Sequence, residues 1–246
     1  MFQTLSEPET PASFPSTHWS RVIAAADPRE SRSREPLAAI CRAYWYPLYA
    51  YIRRRGHGPE SARDLTQDFF ARLLERGTLA EADPSRGRFR SFLRTVCAHY
   101  LANRHDRETA RKRGGGRVAV SIDAAHAEGR YERELAHEVT PDRIFDRSWA
   151  LELLSRVLDR LRREYDEAGK AATFEILRIG LDHGPEDLPH AAIAARLGTT
   201  EGAARVAAHR LRRRYGELLR REIASTLNDP ADVDDEIRDL FASLGS

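Results

Sequence analysis

A chain of 246 residues, 32% charged and 41% apolar, has room for one large or two small domains, and its polar balance suits small helical bundles better than one deep core. The net charge of +2 conceals strong segregation. Residues 86–117 carry ten Arg or Lys against Asp106 and Glu108, a net of +8, whereas residues 222–246 carry seven acids against Arg238, a net of −6. Basic blocks beside an acidic tail point to a nucleic-acid partner. With no apolar run near the roughly 20 residues of a membrane span and no signal peptide at its start, the chain is expected to be cytoplasmic, without membrane insertion.

Residues 1–33 begin with a stretch rich in Pro, Ser, Thr and Glu, which predicts disorder. The run FPSTHWSRVIAAA follows, where Ser16 or Thr17 can cap a short docking helix carrying Trp19, Val22 and Ile23. Residues 34–55 place Leu37, Ile40, Cys41, Tyr44, Trp45, Leu48, Tyr49 and Ile52 at helical spacing, with Pro47 expected to kink or interrupt the helix. Gly56-His57-Gly58-Pro59 reads as a turn, and Pro59 suits the first position of a helix over residues 59–76. That helix has an apolar face of Leu65, Phe69, Phe70, Leu73 and Leu74. Opposite lies a small polar face of Asp64, Gln67, Asp68 and Ala71, which by itself licenses no acid–base chemistry. Cys41 and Cys97 stand alone, without the paired spacing a zinc site requires, and are expected to be buried thiols.

From Phe89 the segment FRSFLRTVCAHYLANRHDRETARKR interleaves aromatic residues with arginines, the combination that single-stranded DNA binding uses: rings to stack on bases, cations to meet phosphates. The same aromatics can serve as core. Phe89, Phe92 and Val96 are expected inside, while His99 and Tyr100 fit either use. Gly114-Gly115-Gly116 closes the segment, and residues 114–147 read as a linker with room for one short helix. Trp149, Leu153, Leu154, Val157, Leu158, Leu161 and Tyr165 then mark a long amphipathic helix ended by Gly169, and Phe174, Ile176, Leu177 and Leu181 another.

Residues 188–197 form a short helix, and Gly198-Thr199-Thr200 breaks it, with glycine for a left-handed C-cap and threonine to cap the next helix. Residues 200–221 put Ala203, Ala204, Ala207, Ala208, Leu211, Tyr215, Leu218 and Leu219 on one side. Arg205, His209, Arg212, Arg213 and Arg220 take the other, with Arg210 and Arg214 at the margin. Seven arginines against Glu201 and Glu217 give +5, with few of the i, i+4 pairs that a merely solvated helix would use. Short helix, glycine turn and basic longer helix is the helix-turn-helix arrangement that enters DNA. After Asp229-Pro230, Val233, Ile237, Leu240, Phe241 and Leu244 form an apolar stripe, with Asp234, Asp235 and Glu236 at the helix start to suit its dipole. This tail is expected to pack on the body, with some cover of the basic 200–221 helix through its opposite charge.

No β alternation is evident, so the fold is expected to be all-α: two small helical domains joined by a linker, with a short C-terminal helical tail. In that order the parts resemble the sigma-70 family of bacterial RNA polymerase sigma factors, most closely the extracytoplasmic-function (ECF) subfamily. DLTQDFF resembles the D-x-T-Q-[DE]-x-F signature of region 2.2. RFRSFLRTVCAHYLANRHDR resembles the F-x-x-W-L-x-x-I-A-x-N segment of regions 2.3–2.4, with Phe92 where Trp is usual and His99 at the place of the family's Asn. EGAARVAAHRLRRRYGELLR resembles the region 4.2 recognition helix. FPSTHWS, YWYPLYAYIRRRG, ARKRGGG and TPDRIFDRSWALELL also resemble an ECF group extended at both ends.

The resemblance implies region 2 over residues 34–113, the linker over 114–147, region 4 over 148–224 and the acidic tail over 225–246. It implies no catalysis, cofactor or metal. The implied partners are core RNA polymerase, through its β′ clamp and β flap, and promoter DNA, with room for an anti-sigma or other regulator. Asp64, Gln67 and Asp68 would face the β′ clamp. Arg86, Arg88, Arg90, Arg94, His99, Tyr100, Asn103 and Arg104 would lie at the −10 element, with His99 beside a flipped base. Thr200, Arg205, His209, Arg210, Arg212 and Arg213 would lie at the −35 element. A helix-turn-helix regulator acting without polymerase would leave DLTQDFF and the aromatic basic segment without a use. An enzyme acting on nucleic acid would need a P-loop, H-E-x-x-H or Cys/His pattern that the chain lacks.

Overall fold

The computed structural model describes residues 35–75, 79, 83, 87–110, 124–134, 140–182, 189–227 and 229–245. Among these the fold is all-α and no strand occurs. The expected N-terminal docking helix and Arg86 lie outside the described residues.

Helix α1 (Glu35–Arg54) is the central element. Residues 43–52 are all buried, including Tyr44, Trp45, Leu48, Tyr49, Tyr51 and Ile52. Contrary to the expected interruption, the helix continues through Pro47. An interior proline costs about 3 kcal/mol, but burying one large side chain contributes about 1.5–3 kcal/mol, and α1 buries several around this point. Gly56, at φ +93°, turns the chain into α2 (Pro59–Glu75), whose Leu65, Phe69, Phe70 and Leu73 enter the core.

Helix α3 (Phe89–Ala110) inserts Phe89, Leu93, Cys97 and Leu101, a run at i, i+4, i+8 and i+12, while Phe92 and Val96 are only partly covered. Phe89 meets Tyr44 edge-on at 5.5 Å between ring centroids. Cys97 is buried and Cys41 partly so, and both are free thiols. Burial pushes Cys41 up to about 11 and Cys97 up to about 12, so both stay protonated at neutral pH.

Helix α4 (Ala124–Glu134) is the short helix for which the expected linker left room. It docks Ala127 and Tyr131 into the core. Helix α5 (Pro141–Glu167) starts inside that expected linker, because Thr140 caps it by accepting from the Arg143 amide at 3.3 Å and Pro141 suits its first turn. Its N-terminal half packs extensively along α1, with Ile144, Phe145, Trp149 and Leu153 buried. The cores expected for two separate domains are therefore continuous through α5. Gly169, at φ +67°, ends the helix as anticipated. Its amide donates to Asp166 O and the Lys170 amide to Tyr165 O, the paired bonds of a Schellman motif.

The next expected helix is split at Arg178 into α6 (Ala171–Leu177) and the single turn α7 (Ile179–Asp182). Helices α8 (His190–Leu197) and α9 (Glu201–Ala224) meet at Gly198, at φ +63°, with the same pair of Schellman bonds. Thr200 caps α9, accepting from the Ala203 amide at 3.3 Å. A 3₁₀ turn (Pro230–Asp232) follows the Asp229-Pro230 break and leads into α10 (Val233–Leu244), which packs on α5 and α9.

Candidate nucleic-acid and polymerase interfaces

On α2, Asp64 is exposed, whereas Gln67 and Asp68 are partly covered. Asp68 turns toward α3, where one carboxylate oxygen accepts from the Tyr100 hydroxyl at 2.6 Å, from Arg104 at 2.7 Å and from Arg72 at 3.2 Å. Arg104 also donates to the Tyr100 oxygen at 3.1 Å, and Arg72 lies over the Tyr100 ring at 5.5 Å. Burial, then the bond to Asp68, raises the Tyr100 phenol above its ordinary value, so it stays a donor. Asp68 and the pair Tyr100 and Arg104, expected at different partners, thus meet in one cluster joining α2 to α3.

His99 and Asn103, four residues apart, are exposed on α3. The arginines at the helix start are held differently. Arg88, ahead of the first turn, pairs with Glu236 at 2.7 Å and with Asp239 at 2.7 Å. Arg90 is 8% exposed and pairs with Glu236 and, at 3.5 Å, with Asp146, its guanidinium 4.4 Å from the Trp149 ring centroid. Burial lowers Arg90 to about 10, which still leaves it cationic at neutral pH. Arg94 pairs with Asp146 at 3.0 Å and Asp142 at 3.7 Å. Sequence reasoning missed these carboxylates. Asp142 and Asp146 are spaced i, i+4 on α5, and Glu236 falls between Val233 and Leu240 on the buried stripe of α10, where an acid needs a partner.

On α9, Arg205, His209, Arg210 and Arg213 are exposed. Arg205 lies 3.5 Å from Glu201 and Arg213 3.1 Å from Glu217, both along the helix surface. Arg212 is partly covered and donates to the Gly180 carbonyl at 2.7 Å, joining α9 to α7. Arg214 grips Glu164 of α5 with two bonds, at 2.8 and 2.7 Å, and holds that carboxyl below its usual range. Val206, half exposed, was missed. With His209, Arg210 and Arg213 it forms an i, i+3, i+4, i+7 stripe facing outward. An exposed valine there offers an apolar contact amid cations, a pattern suited to a thymine methyl.

The linker helix α4 also carries an unforeseen cluster. Glu128 accepts from Arg53 at 3.0 and 2.6 Å and from the Tyr49 hydroxyl, while Arg130 reaches Glu152 at 2.8 Å and lies 3.8 Å from the Tyr46 ring centroid. Among the described residues, no group of three or more His, Cys, Asp or Glu could hold a metal ion, and no helix is long and apolar enough to cross a membrane.

Residues 41–111, which run from α1 through α3, match the family model of Sigma-70 region 2. No curated protein and no solved structure matches the chain. The segment that carries DLTQDFF and the aromatic basic helix is thus similar to sigma-70 region 2, and that similarity supports an RNA polymerase sigma factor of the sigma-70 family.

Proposed function

We propose that this chain is a sigma factor of the extracytoplasmic-function subfamily, which binds core RNA polymerase, recognises −10 and −35 promoter elements and assists melting between them. The observation that carries the reading is the region 2 match over residues 41–111. The α8–Gly198–α9 unit, read as a helix-turn-helix of region 4, complements it at the other end of the chain. In this reading Asp64, exposed on α2 beside Gln67, is the acidic contact for the β′ clamp, and Asp68 supports it from the α2–α3 junction. His99 and Asn103 are the exposed polar groups of α3 available to an unpaired base, since a histidine can both stack and hydrogen-bond. Val206, His209, Arg210 and Arg213 form the groove-facing stripe of α9, with Arg205 beside it. Arginine reads guanine bidentately or meets phosphate, whereas valine offers a methyl contact.

The reaction belongs to the polymerase. The chain contributes binding and strand selection, with no catalytic residue, cofactor or metal of its own, and a dedicated anti-sigma factor would act on these same surfaces. The test is retention of the purified protein on core RNA polymerase, followed by run-off transcription from genomic DNA. Core binding and discrete new transcripts are expected. Duplex binding without core binding would replace this reading with a regulator that acts without polymerase.

A further inference from the structure

Helix α10 spends its acids in an unusual way. Glu236 is 1% exposed, and it sits on the buried stripe with Val233 and Leu240. A carboxylate in that setting is costly unless it is paired, and its partners are Arg88 and Arg90. Asp239, at the rim and half exposed, takes the other side of Arg88 at 2.7 Å. At the near end of the helix, Asp234 meets Arg220 of α9 at 2.7 Å. The recognition stripe itself is exposed, with Arg205 and Arg213 paired along α9 among the described residues. The tail therefore packs on α5 and α9 and reaches the basic face of residues 200–221 at Arg220, while Glu236 and Asp239 go to the other basic surface, at Arg88 and Arg90.

We propose that α10 is an intramolecular latch on the region 2 DNA surface, with the Glu236 and Asp239 carboxylates standing where nucleic-acid phosphates bind Arg88 and Arg90. The inference rests on the reading of those arginines as DNA-facing. Carboxylate and phosphate oxygens use the same guanidinium donors, so the two occupants exclude each other. Charge favours the exchange, because α10 carries four acids against Arg238 and residues 86–117 carry +8. A polar cleft of about 310 Å³, lined by Arg88, Arg90, Asp146, Trp149 and Asp239, opens beside the latch and gives a phosphate backbone access to the same guanidinium groups. Only part of the site is latched. Among the described residues Arg94 is held by α5, and His99 is exposed. The free protein is thus held off single-stranded DNA until α10 lifts, whether by contact with polymerase or by capture of the tail by another protein.

The test uses the full chain and a fluorescein-labelled mixed-sequence single strand of DNA, with anisotropy read at low and at high salt. Asp239→Asn touches an exposed rim contact and should leave folding intact. Glu236→Gln keeps the side chain's shape, and a melting curve checks both. The double variant should bind more tightly than the parent, by a factor between about 5 and 150, the usual range of coupling between sites. Because counterion release dominates such binding, affinities at high salt fall together. Adding Arg88→Ala should remove the gain. Equal affinity of parent and double variant at low salt overturns the latch alone, as does a gain that survives Arg88→Ala. Binding by neither protein overturns the DNA-facing reading of Arg88 and Arg90, and the latch with it, while core-polymerase retention remains to judge the sigma-factor reading separately.

Discussion

The Tyr100 hydroxyl donates to Asp68 at 2.6 Å across the α2–α3 junction, and Arg104 reaches the same carboxylate oxygen at 2.7 Å. One oxygen thus holds two residues of the helix that is proposed to meet DNA, while Asp64, one turn earlier on α2, is exposed. The two acids of DLTQDFF should separate by experiment. Asp64→Arg is expected to weaken retention on core polymerase without changing the melting temperature. Asp68→Asn is expected to lower stability, because hydrogen bonds to charged groups contribute about 1.5–3 kcal/mol each. Thermal melts and core pull-downs on the two single variants check this, and equal melting temperatures for both would deny Asp68 its structural role.

The Glu128 cluster predicts an acid response of the linker helix. Hydrogen bonds from Arg53 hold the Glu128 carboxyl below its ordinary 4.5. A carboxyl depressed in the folded state contributes stability that is fully present above its unfolded value and is lost as pH falls through the folded one. The contribution should persist down to about pH 4.5 and disappear below it. Glu128→Gln should lower the melting temperature at pH 7 and shrink the difference from the parent on acidification. A difference that grows toward acid pH would reverse the assigned sign.

Much of the fold was legible because each helix carries its own signals. Proline at the start of α2, Gly169 at the end of α5, and Gly198 with Thr200 between α8 and α9 are local features, and each fell where its chemistry suggested. What was not legible was long-range pairing. Nothing near Arg90 in the chain announces Glu236, and nothing near Glu128 announces Arg53. The start of α5 was a different case. Thr140-Pro141 was readable as a cap, but the weak periodicity around it reads as linker. At Pro47 the helix runs on without a break, in a stretch of α1 that is buried on all sides. Phe241 was placed on the apolar stripe and is instead 53% exposed, because α10 turns Glu236 inward to meet Arg88 and Arg90.

His99 and Tyr100 are adjacent in sequence but differ in exposure. Tyr100 is tied to Asp68, whereas His99 is exposed beside Asn103, one turn along. His99→Ala should leave the melting temperature and duplex binding unchanged and reduce promoter opening by the holoenzyme, read as permanganate reactivity of unpaired thymines. Parent-like reactivity in His99→Ala would remove this residue from strand recognition.

Val206 is the apolar member of the outward stripe of α9. If it meets a thymine methyl, its truncation should act on one position of the recognised sequence and leave the others alone. Selection of bound duplexes from a randomised pool is the measurement. Val206→Ala is expected to relax the preference for thymine at a single position, with the salt dependence unchanged. A uniform loss across positions would mean that the residue only packs.

Arg213 and Arg214 are neighbours with opposite employment, and they give the sharpest test of how the basic helix divides its charge. Arg213 is 75% exposed at its side chain and pairs along the helix surface with Glu217. Arg214 turns back to Glu164 of α5 with two short bonds, and its own ionisation is raised by that partner. Counting arginines on α9 cannot tell the two apart, because the helix turns about 100° between them and that rotation carries one outward and the other onto α5. Arg213→Ala should weaken duplex binding on every sequence and reduce the slope of log affinity against log salt by about one, with no loss of stability. Arg214→Ala should do the converse, removing the two short bonds to Glu164 and lowering the melting temperature while the salt slope stays as in the parent. If Arg214→Ala also flattens the salt slope by the same amount, then Arg214 leaves Glu164 for phosphate when DNA binds, and the α5–α9 clamp belongs only to the unbound protein.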